Sequence, residues 1–261
     1  MRGENQPMQL NHKMLGGGDA ASGAPIVILH GLFGLADNWL GIAKALSLTN
    51  PVHLLDLRNH GRSPHNPVFN YAAMGDDLDE FMQGQDLNGA VLIGHSMGGK
   101  VAMHYACLHP DRLNRLVVID IAPRYYPVHH RVILDALLGV DLAALQNRQQ
   151  ADEQLARHIA ETDVRQFLLK NLYRTDGGTF AWRFDLATIN GQIENVGEVL
   201  PNGFVFHKPT QFIRGELSHY IKDADMELIL RQFPEARLET VAGAGHWVHA
   251  EKPAELLALL R

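Results

Sequence analysis

Short apolar runs separated by polar or glycine-rich turns recur towards both ends of the chain. Runs of this kind are typical of strands that are buried on both faces of a sheet. They cover residues 25–29, 52–56, 90–93, 116–119, 210–215 and 236–241, and residues 8–15 form a candidate edge strand.

Apolar residues at helical spacing lie between these runs. They predict helices over residues 37–47, 71–83, 224–232 and 253–260, and a further helix directly after Ser96. Strands that alternate with helices usually form a parallel sheet covered on both faces. The pattern therefore predicts an α/β fold with a mostly parallel sheet flanked by helices.

The alternation stops between Pro123 and about Gly203. Helical spacing there covers residues 128–138, 141–145, 151–160, 164–172 and 185–196, and residues 179–184 alternate like a strand after a turn at 176–178. Open α/β sheets bind ligands at the carboxyl ends of their strands. We therefore expect a mainly helical cap over residues 124–203, inserted into a core of residues 1–123 and 204–261.

Composition narrows the class of protein. Of the 261 residues, 46% are hydrophobic and 20% are charged, which is ordinary for a globular protein. The net charge of −6 does not favour nucleic acid or an anionic membrane surface as a partner. The polar stretch 1–18 lacks the apolar centre of a signal peptide, and no apolar stretch is long enough to span a bilayer. We expect a cytoplasmic protein, and the oligomeric state is left open.

Metal and disulfide chemistry find little support in the sequence. Cys107 is the single cysteine, so it cannot form an internal disulfide, and its helical surroundings predict a small core residue. The 15 histidines are scattered without metal-ligand spacing. The adjacent pair at 129 and 130 is expected at the surface or along a cleft. We expect neither a metal nor a cofactor.

Residues 94–98 read Gly-His-Ser-Met-Gly between a predicted strand and a predicted helix. Glycine is needed where strand and helix approach this closely, and a serine at such a turn is held in strained backbone with its hydroxyl exposed. A helix amino terminus behind it favours developing negative charge. We expect Ser96 to be a nucleophile, and the alternative is a surface turn with an idle serine.

A serine hydroxyl needs a base and an oxyanion site to act as a nucleophile at neutral pH. His246 follows the last predicted strand in a glycine-rich loop, and in this chain order it is the expected base. His30, His95 and His249 are rivals in strand-end or flanking positions. Residues 30–34, His-Gly-Leu-Phe-Gly, follow a buried strand, so the amides of Leu32 and Met97 are the expected oxyanion donors, with a plain tight loop as the alternative.

The acid that orients the histidine is less direct to place. In most α/β-hydrolases, which the turn at 94–98 resembles, the acid lies a few residues beyond the strand that matches 212–215, and the residue at that position here is Ser218, which has no carboxylate. Glu216, Asp223 and Asp225 are nearby but off register. Asp120 ends the strand next to the expected nucleophile strand, so we expect Asp120 to be the acid. Its alternative role is to tether a hinge loop.

These motifs together resemble the α/β-hydrolases over nearly the whole chain, and more narrowly the bacterial YbfF-type carboxylesterases and related mitochondrial hydrolases. The resemblance rests on residues 30–34, 56–61, 94–100, 120–123 and 243–251. It implies the α/β-hydrolase fold and hydrolysis of small acyl esters, with acyl-CoA thioesters as a further substrate class, without a cofactor. In that group the acid follows the earlier strand, which matches Asp120.

Two further functions are compatible with the sequence. The Gly-His-Ser-Met-Gly turn at 94–98, which Gly99 and the basic Lys100 follow, is also similar to that of the menaquinone-pathway carbon–carbon lyases. Those enzymes use cap arginines to bind an acidic substrate, and the possible counterparts here are Arg124, Arg131 and Arg174. The other function is that of a non-catalytic protein of the same fold family that only binds a ligand. The presence of a candidate nucleophile, base and acid together argues against this function. The expected substrate-contacting residues are Phe33, His95, Leu138, Phe167, Trp182 and Trp247.

Overall fold

The computed structural model describes residues 8–17 and 22–261. In this part of the chain the strands are β1 (His12–Leu15), β2 (Ile26–Leu29), β3 (Val52–Leu55), β4 (Ala90–His95), β5 (Leu113–Ile119), β6 (Leu172–Arg174), β7 (Phe180–Trp182), β8 (Thr210–Gly215) and β9 (Ala236–Val241). The glycine-rich sequence 16–19 after β1 predicts a turn, of which only Gly16 and Gly17 belong to the described residues.

The main sheet has the order β1-β3-β2-β4-β5-β8-β9. β1 pairs antiparallel with β3, and the other neighbours are parallel. β2, β3, β4 and β5 are buried almost throughout, which explains why their sequences are apolar runs without alternation. The predicted α/β fold with a mostly parallel sheet is confirmed. Because β4 lies between β2 and β5, loops after three adjacent strands meet at one edge.

Helices cover both faces of this sheet. The helices of the described residues are α1 (Leu40–Leu46), α2 (Tyr71–Gly84), α3 (Met97–Leu108), α4 (Arg131–Leu138), α5 (Arg148–Leu155), α6 (Thr162–Leu169), α7 (Leu186–Gly191), α8 (Met226–Gln232), α9 (Val248–Glu251) and α10 (Pro253–Leu260), of which α4 to α7 belong to the segment between β5 and β8. One apolar cluster contains α2 and α3, and the other contains α1 and α10. The sheet therefore separates two cores.

Residues between β5 and β8 contain α4 to α7 and the antiparallel β6–β7 hairpin. The helix expected over 141–145 is absent from the described structure, where these residues form turns. The Asp141 side chain accepts a hydrogen bond from the Ala144 amide at 3.2 Å, and such local bonds compete with helix formation. No helix of residues 8–17 and 22–261 is long and apolar enough to cross a membrane.

Candidate active site

The turn between β4 and α3 carries Ser96 in a strained conformation. Its φ of 52° and ψ of −119° lie where side chains other than glycine are rarely found. Strand and helix approach so closely that a Cβ atom at Gly94 would lie 2.3 Å from the Gly98 carbonyl oxygen. At Gly98 a Cβ would lie 2.5 Å from the His30 carbonyl oxygen. The two glycines are therefore required for the serine to stand at the tip of the turn.

His246 lies between Ser96 and Asp120. Its Nε2 atom is 3.1 Å from the Ser96 Oγ, and its Nδ1 is 2.7 Å from the Asp120 Oδ2. Nδ1–H therefore donates to the carboxylate, which leaves the Nε2 lone pair directed at the serine hydroxyl. The three side chains come from loops after β4, β5 and β9. This arrangement can take the proton of a serine that attacks a carbonyl group.

Asp120 is fully buried and, like Ser96, has a positive φ, of 51°. Besides His246, its carboxylate accepts a hydrogen bond from the Gly215 amide at 3.2 Å and one from the Ser218 hydroxyl. Ser218 thus lies beside the carboxylate instead of supplying one. Three donors around Asp120 hold its oxygens in a fixed orientation.

The other nearby acids have different partners. Glu216 accepts from the Gly243 amide at 2.8 Å. Asp223 pairs with Arg214 at 2.7 Å and is largely exposed. Asp225 accepts from the Lys222 amide at 2.8 Å and pairs with Arg124. These contacts direct all three carboxylates away from His246.

The rival histidines are bound to backbone or to other rings. His95 Nε2–H donates to the His246 carbonyl at 2.9 Å, and burial, followed by the charge of neighbouring histidines, lowers the pKa of His95 well below its usual value. The His249 ring stacks on Trp39 at 4.2 Å, and burial lowers its pKa to about 3. His30 Nε2 accepts from the Leu57 amide at 3.0 Å. These rings support the site as neutral groups.

The loop after β2 lies against the Ser96 turn. A Cβ at Gly31 would be 3.2 Å from the Ser96 Cβ. Phe33 has a φ of 58°, and its amide donates to His60 Nε2 at 3.2 Å. Among the described residues, the amides of Leu32 and Met97 have no hydrogen-bond acceptor. Both are buried residues on the two sides of the serine, so their amides are free to bind an oxyanion.

A cavity of about 210 Å³ opens beside Ser96, and we call it the Ser96 cavity. Among the expected substrate contacts, Phe33, His95, Phe167 and Trp247 line it. The segment between β5 and β8 supplies further walls, namely His129, His130, Ile133, Val164 and Leu168. The lining is mainly apolar apart from the histidines, which suits an acyl group.

Two expected pocket residues lie elsewhere. Leu138 ends α4 with 51% of its surface exposed, because the apolar face of that helix is formed by Leu134 and Leu137 instead. Trp182 is 8% exposed and stacks on Phe184 at 5.4 Å, and Phe184 in turn contacts Phe33 at 5.4 Å. Trp182 therefore packs behind the cavity wall and does not form its surface.

The arginines considered for a lyase are also placed away from the Ser96 cavity. Arg124 pairs with Asp225 and lies over the Tyr126 ring at 3.9 Å. Arg131 donates to the Asn190 side chain at 3.0 Å. The third, Arg174, donates to the Gly178 carbonyl of its own hairpin and to the Gln146 carbonyl. An acidic substrate beside Ser96 would meet none of the three in this arrangement.

Two residues that the sequence reasoning missed contact the site directly. The Tyr220 ring stacks on the His246 ring at 4.0 Å with an interplanar angle of 17°, and its hydroxyl bonds the His129 side chain. The buried Asn171 side chain donates to the Phe33 carbonyl at 2.7 Å. Neither belongs to a motif. Tyr220 follows Ser218 by two positions, which was the one available signal.

Comparison with known proteins defines the class. Residues 24–155 match the family model described as alpha/beta hydrolase fold. The chain belongs to this family. It is 40% identical to esterase YbfF of Escherichia coli (strain K12) over 97% of this chain and 98% of that protein. It is 39% identical to the sn-1-specific diacylglycerol lipase ABHD11 of Mus musculus, over 97% and 84% of the two chains.

A solved structure gives the same result for the fold. A marine microorganism esterase superposes with a TM-score of 0.93 at 40% identity, covering 97% of this chain and 98% of that one. The likeness therefore covers nearly the full length of both chains. The α/β-hydrolase fold expected from the motifs is confirmed.

Proposed function

We propose that this protein is a serine carboxylesterase that cleaves small acyl esters and acyl-CoA thioesters. The observation that carries the proposal is the chain of contacts from Ser96 Oγ through His246 to the buried Asp120, at 3.1 Å and 2.7 Å. Similarity to proteins named as esterases supports the same activity.

In the acylation step, Ser96 Oγ attacks the substrate carbonyl carbon while His246 Nε2 takes the hydroxyl proton. Asp120 stabilises the imidazolium that forms, and the amides of Leu32 and Met97 bind the oxyanion. The carbon–oxygen or carbon–sulfur bond then breaks. His246 returns its proton to the leaving alcohol or thiol, and the acyl group remains on the serine.

In the deacylation step, a water molecule gives a proton to His246 Nε2 and attacks the acyl carbon. The second oxyanion binds the same two amides, and the carboxylic acid leaves as Ser96 regains its proton. Every step uses side chains and amides of this chain. The reaction consumes one water per ester.

The segment 124–203 acts as the cap that selects the acyl group. Its contribution to the Ser96 cavity, including Ile133 and Phe167, supports this role. The apolar lining favours an uncharged acyl chain over a carboxylated substrate. The positions of Arg124, Arg131 and Arg174 disfavour the lyase alternative.

The proposal is tested by labelling and by turnover. We expect a serine-directed organophosphonate to label wild-type protein at Ser96, and Ser96→Ala to lose hydrolysis of a short chromogenic ester while its melting temperature stays near that of the wild type. Removal of a triad member usually lowers turnover by roughly 10⁴ to 10⁶. Label on another residue, or an active Ser96→Ala protein, contradicts the proposal.

A further inference from the structure

A second pocket, of about 420 Å³, lies between the core and the β6–β7 hairpin, and we call it the cationic pocket. Its cationic side chains are Lys13, Arg62, Arg148, Lys170, Arg174 and Arg183. Asp37 and Asp56 are the carboxylates of its lining, so six positive and two negative groups leave a net charge of +4. The whole chain has a net charge of −6. The cationic pocket is therefore a local concentration of positive charge on a chain whose overall charge is negative.

Three of these cations have structural partners. Arg148 donates to the Leu172 carbonyl at 2.8 Å, and Arg174 donates to the Gln146 carbonyl at 2.9 Å. Lys13 pairs with Asp37. These contacts fix the rim of the cationic pocket.

The other three cations have no such partner. Within residues 8–17 and 22–261, the side chains of Arg62, Lys170 and Arg183 donate no hydrogen bond. Arg183 is held over the Tyr173 ring at 4.5 Å, which orders its guanidinium without using its donors. The Asp56 carboxylate is already satisfied, because it accepts from the Asn11 side chain and from the amides of Ala36 and Arg62.

The cationic pocket and the Ser96 cavity share a wall. Phe167 and Leu168, at the end of α6, line the Ser96 cavity, whereas Lys170 lines the cationic pocket. Consecutive residues of the loop after β2 divide in the same way, with Gly34 on one side and Leu35 on the other. The two pockets are therefore neighbours, and a leaving group long enough to pass this wall would bring its far end to the cationic pocket.

We infer that the cationic pocket binds a phosphate group on the leaving group of the acyl substrate. Guanidinium groups bind phosphate through paired hydrogen bonds, and a phosphate monoester carries about two negative charges at pH 7. A single carboxylate would balance less of the three unpaired cations. Coenzyme A and glycerol phosphate are the two sources of such a leaving group. The inference rests on the proposed function, since it assigns a subsite of the same reaction.

The test compares two thioesters with one acyl chain, one on coenzyme A and one on N-acetylcysteamine, which lacks phosphate. In the double variant Arg62→Gln, Arg183→Gln, we expect the ratio of kcat/KM for the first thioester over the second to fall roughly tenfold or more, mainly through KM. The matched control is Arg157→Gln. It removes an exposed arginine that, like Arg183, belongs to the segment between β5 and β8 but does not line the cationic pocket. An acylglycerol phosphate measured beside the neutral acylglycerol distinguishes the two phosphate sources.

An unchanged ratio for both phosphate-bearing substrates overturns the inference. A selective loss on either one supports it and identifies the source. Failure of the proposed function would look different, because wild-type protein would then cleave neither thioester. In that case calorimetric titration with inorganic pyrophosphate still tests the cationic pocket, with binding expected for wild type and Arg157→Gln, and a loss of at least tenfold in affinity expected for the double variant.

Discussion

At the scale of single residues, the proposed acid of the site is an aspartate directly after β5, and three donors hold its oxygens. Asp120 receives hydrogen bonds from His246, Gly215 and Ser218. The serine at 218 stands where many members of this fold class carry the acid. In this chain the carboxylate follows β5, and the serine hydroxyl that follows β8 donates a hydrogen bond to it.

We predict that Asp120→Asn lowers turnover by roughly 10⁴, because an amide favours the wrong histidine tautomer and leaves the imidazolium unpaired. Ester hydrolysis and the melting temperature are the measurements. Glu216→Gln and Asp223→Asn are matched controls that remove the same charge from the loop after the neighbouring strand β8, and both should keep near-wild-type activity. An active Asp120→Asn protein together with a crippled control would place the acid on the later strand.

The residues of the site differ in how far the sequence could place them. Ser96 and His246 follow strands in glycine-rich loops, and local rules of chain geometry suffice to bring such loops to one sheet edge. Tyr220 and Asn171 could not be found in this way, because they act through a ring stack and one long-range hydrogen bond. Such contacts depend on the packing of segments far apart in the chain, which no local pattern encodes.

At the scale of elements, Lys100 joins α3 to both ends of the segment between β5 and β8. Its buried Nζ donates to the Arg124 carbonyl at 2.5 Å and to the Glu198 carbonyl at 2.6 Å. Residues near the two ends of this segment also contact each other directly, because the Tyr126 amide donates a hydrogen bond to the Gly197 carbonyl at 2.8 Å. Lys100 on α3 therefore holds together the two places where the segment between β5 and β8 joins the core.

We predict that Lys100→Met lowers the free energy of unfolding by about 2 kcal/mol at pH 9, because two buried carbonyls lose their donor. Burial, followed by the charge of Arg124, lowers the pKa of Lys100 to about 7, whereas an unfolded lysine titrates near 10.4. Between these values the folded state binds fewer protons than the unfolded state, so the contribution of Lys100 is complete above about 10.4 and is lost progressively as the pH falls from about 10.4 to about 7.

Urea unfolding of wild type and Lys100→Met at several pH values measures this difference. We expect the stability gap to narrow from pH 9 to pH 6.5. Lys208→Met is the control, since that lysine donates to a single carbonyl, of Leu113, outside the segment. A gap that stays constant over this range would show that Lys100 keeps an ordinary pKa in the folded state.

At the scale of the whole molecule, the sequence predicted the sheet better than the segment inserted into it. The strands β2 to β5 are mainly apolar and buried almost throughout, so they could be read directly from the sequence. In the inserted segment, short helices bury only part of their surface, and a helical spacing does not say which neighbour each face meets. The prediction that Leu138 and Trp182 line the cavity rested on this spacing alone and is wrong. In the structure Leu138 is exposed at the end of α4, and Trp182 of the β6–β7 hairpin packs on Phe184.

A residue that forms the cavity wall and a residue that supports this wall from behind should respond differently to truncation. Phe167 lines the Ser96 cavity and lies 5.3 Å from the Trp247 ring. We expect Phe167→Ala to raise the ratio of kcat/KM for octanoate over butyrate esters roughly tenfold, because the cavity lengthens where a longer chain would end. Trp182→Ala should instead lower the free energy of unfolding by about 3 to 5 kcal/mol and change all esters alike. If the ratio of kcat/KM for octanoate over butyrate esters changed in Trp182→Ala and not in Phe167→Ala, the prediction would be wrong. The acyl group would then lie beside Trp182 and not beside Phe167.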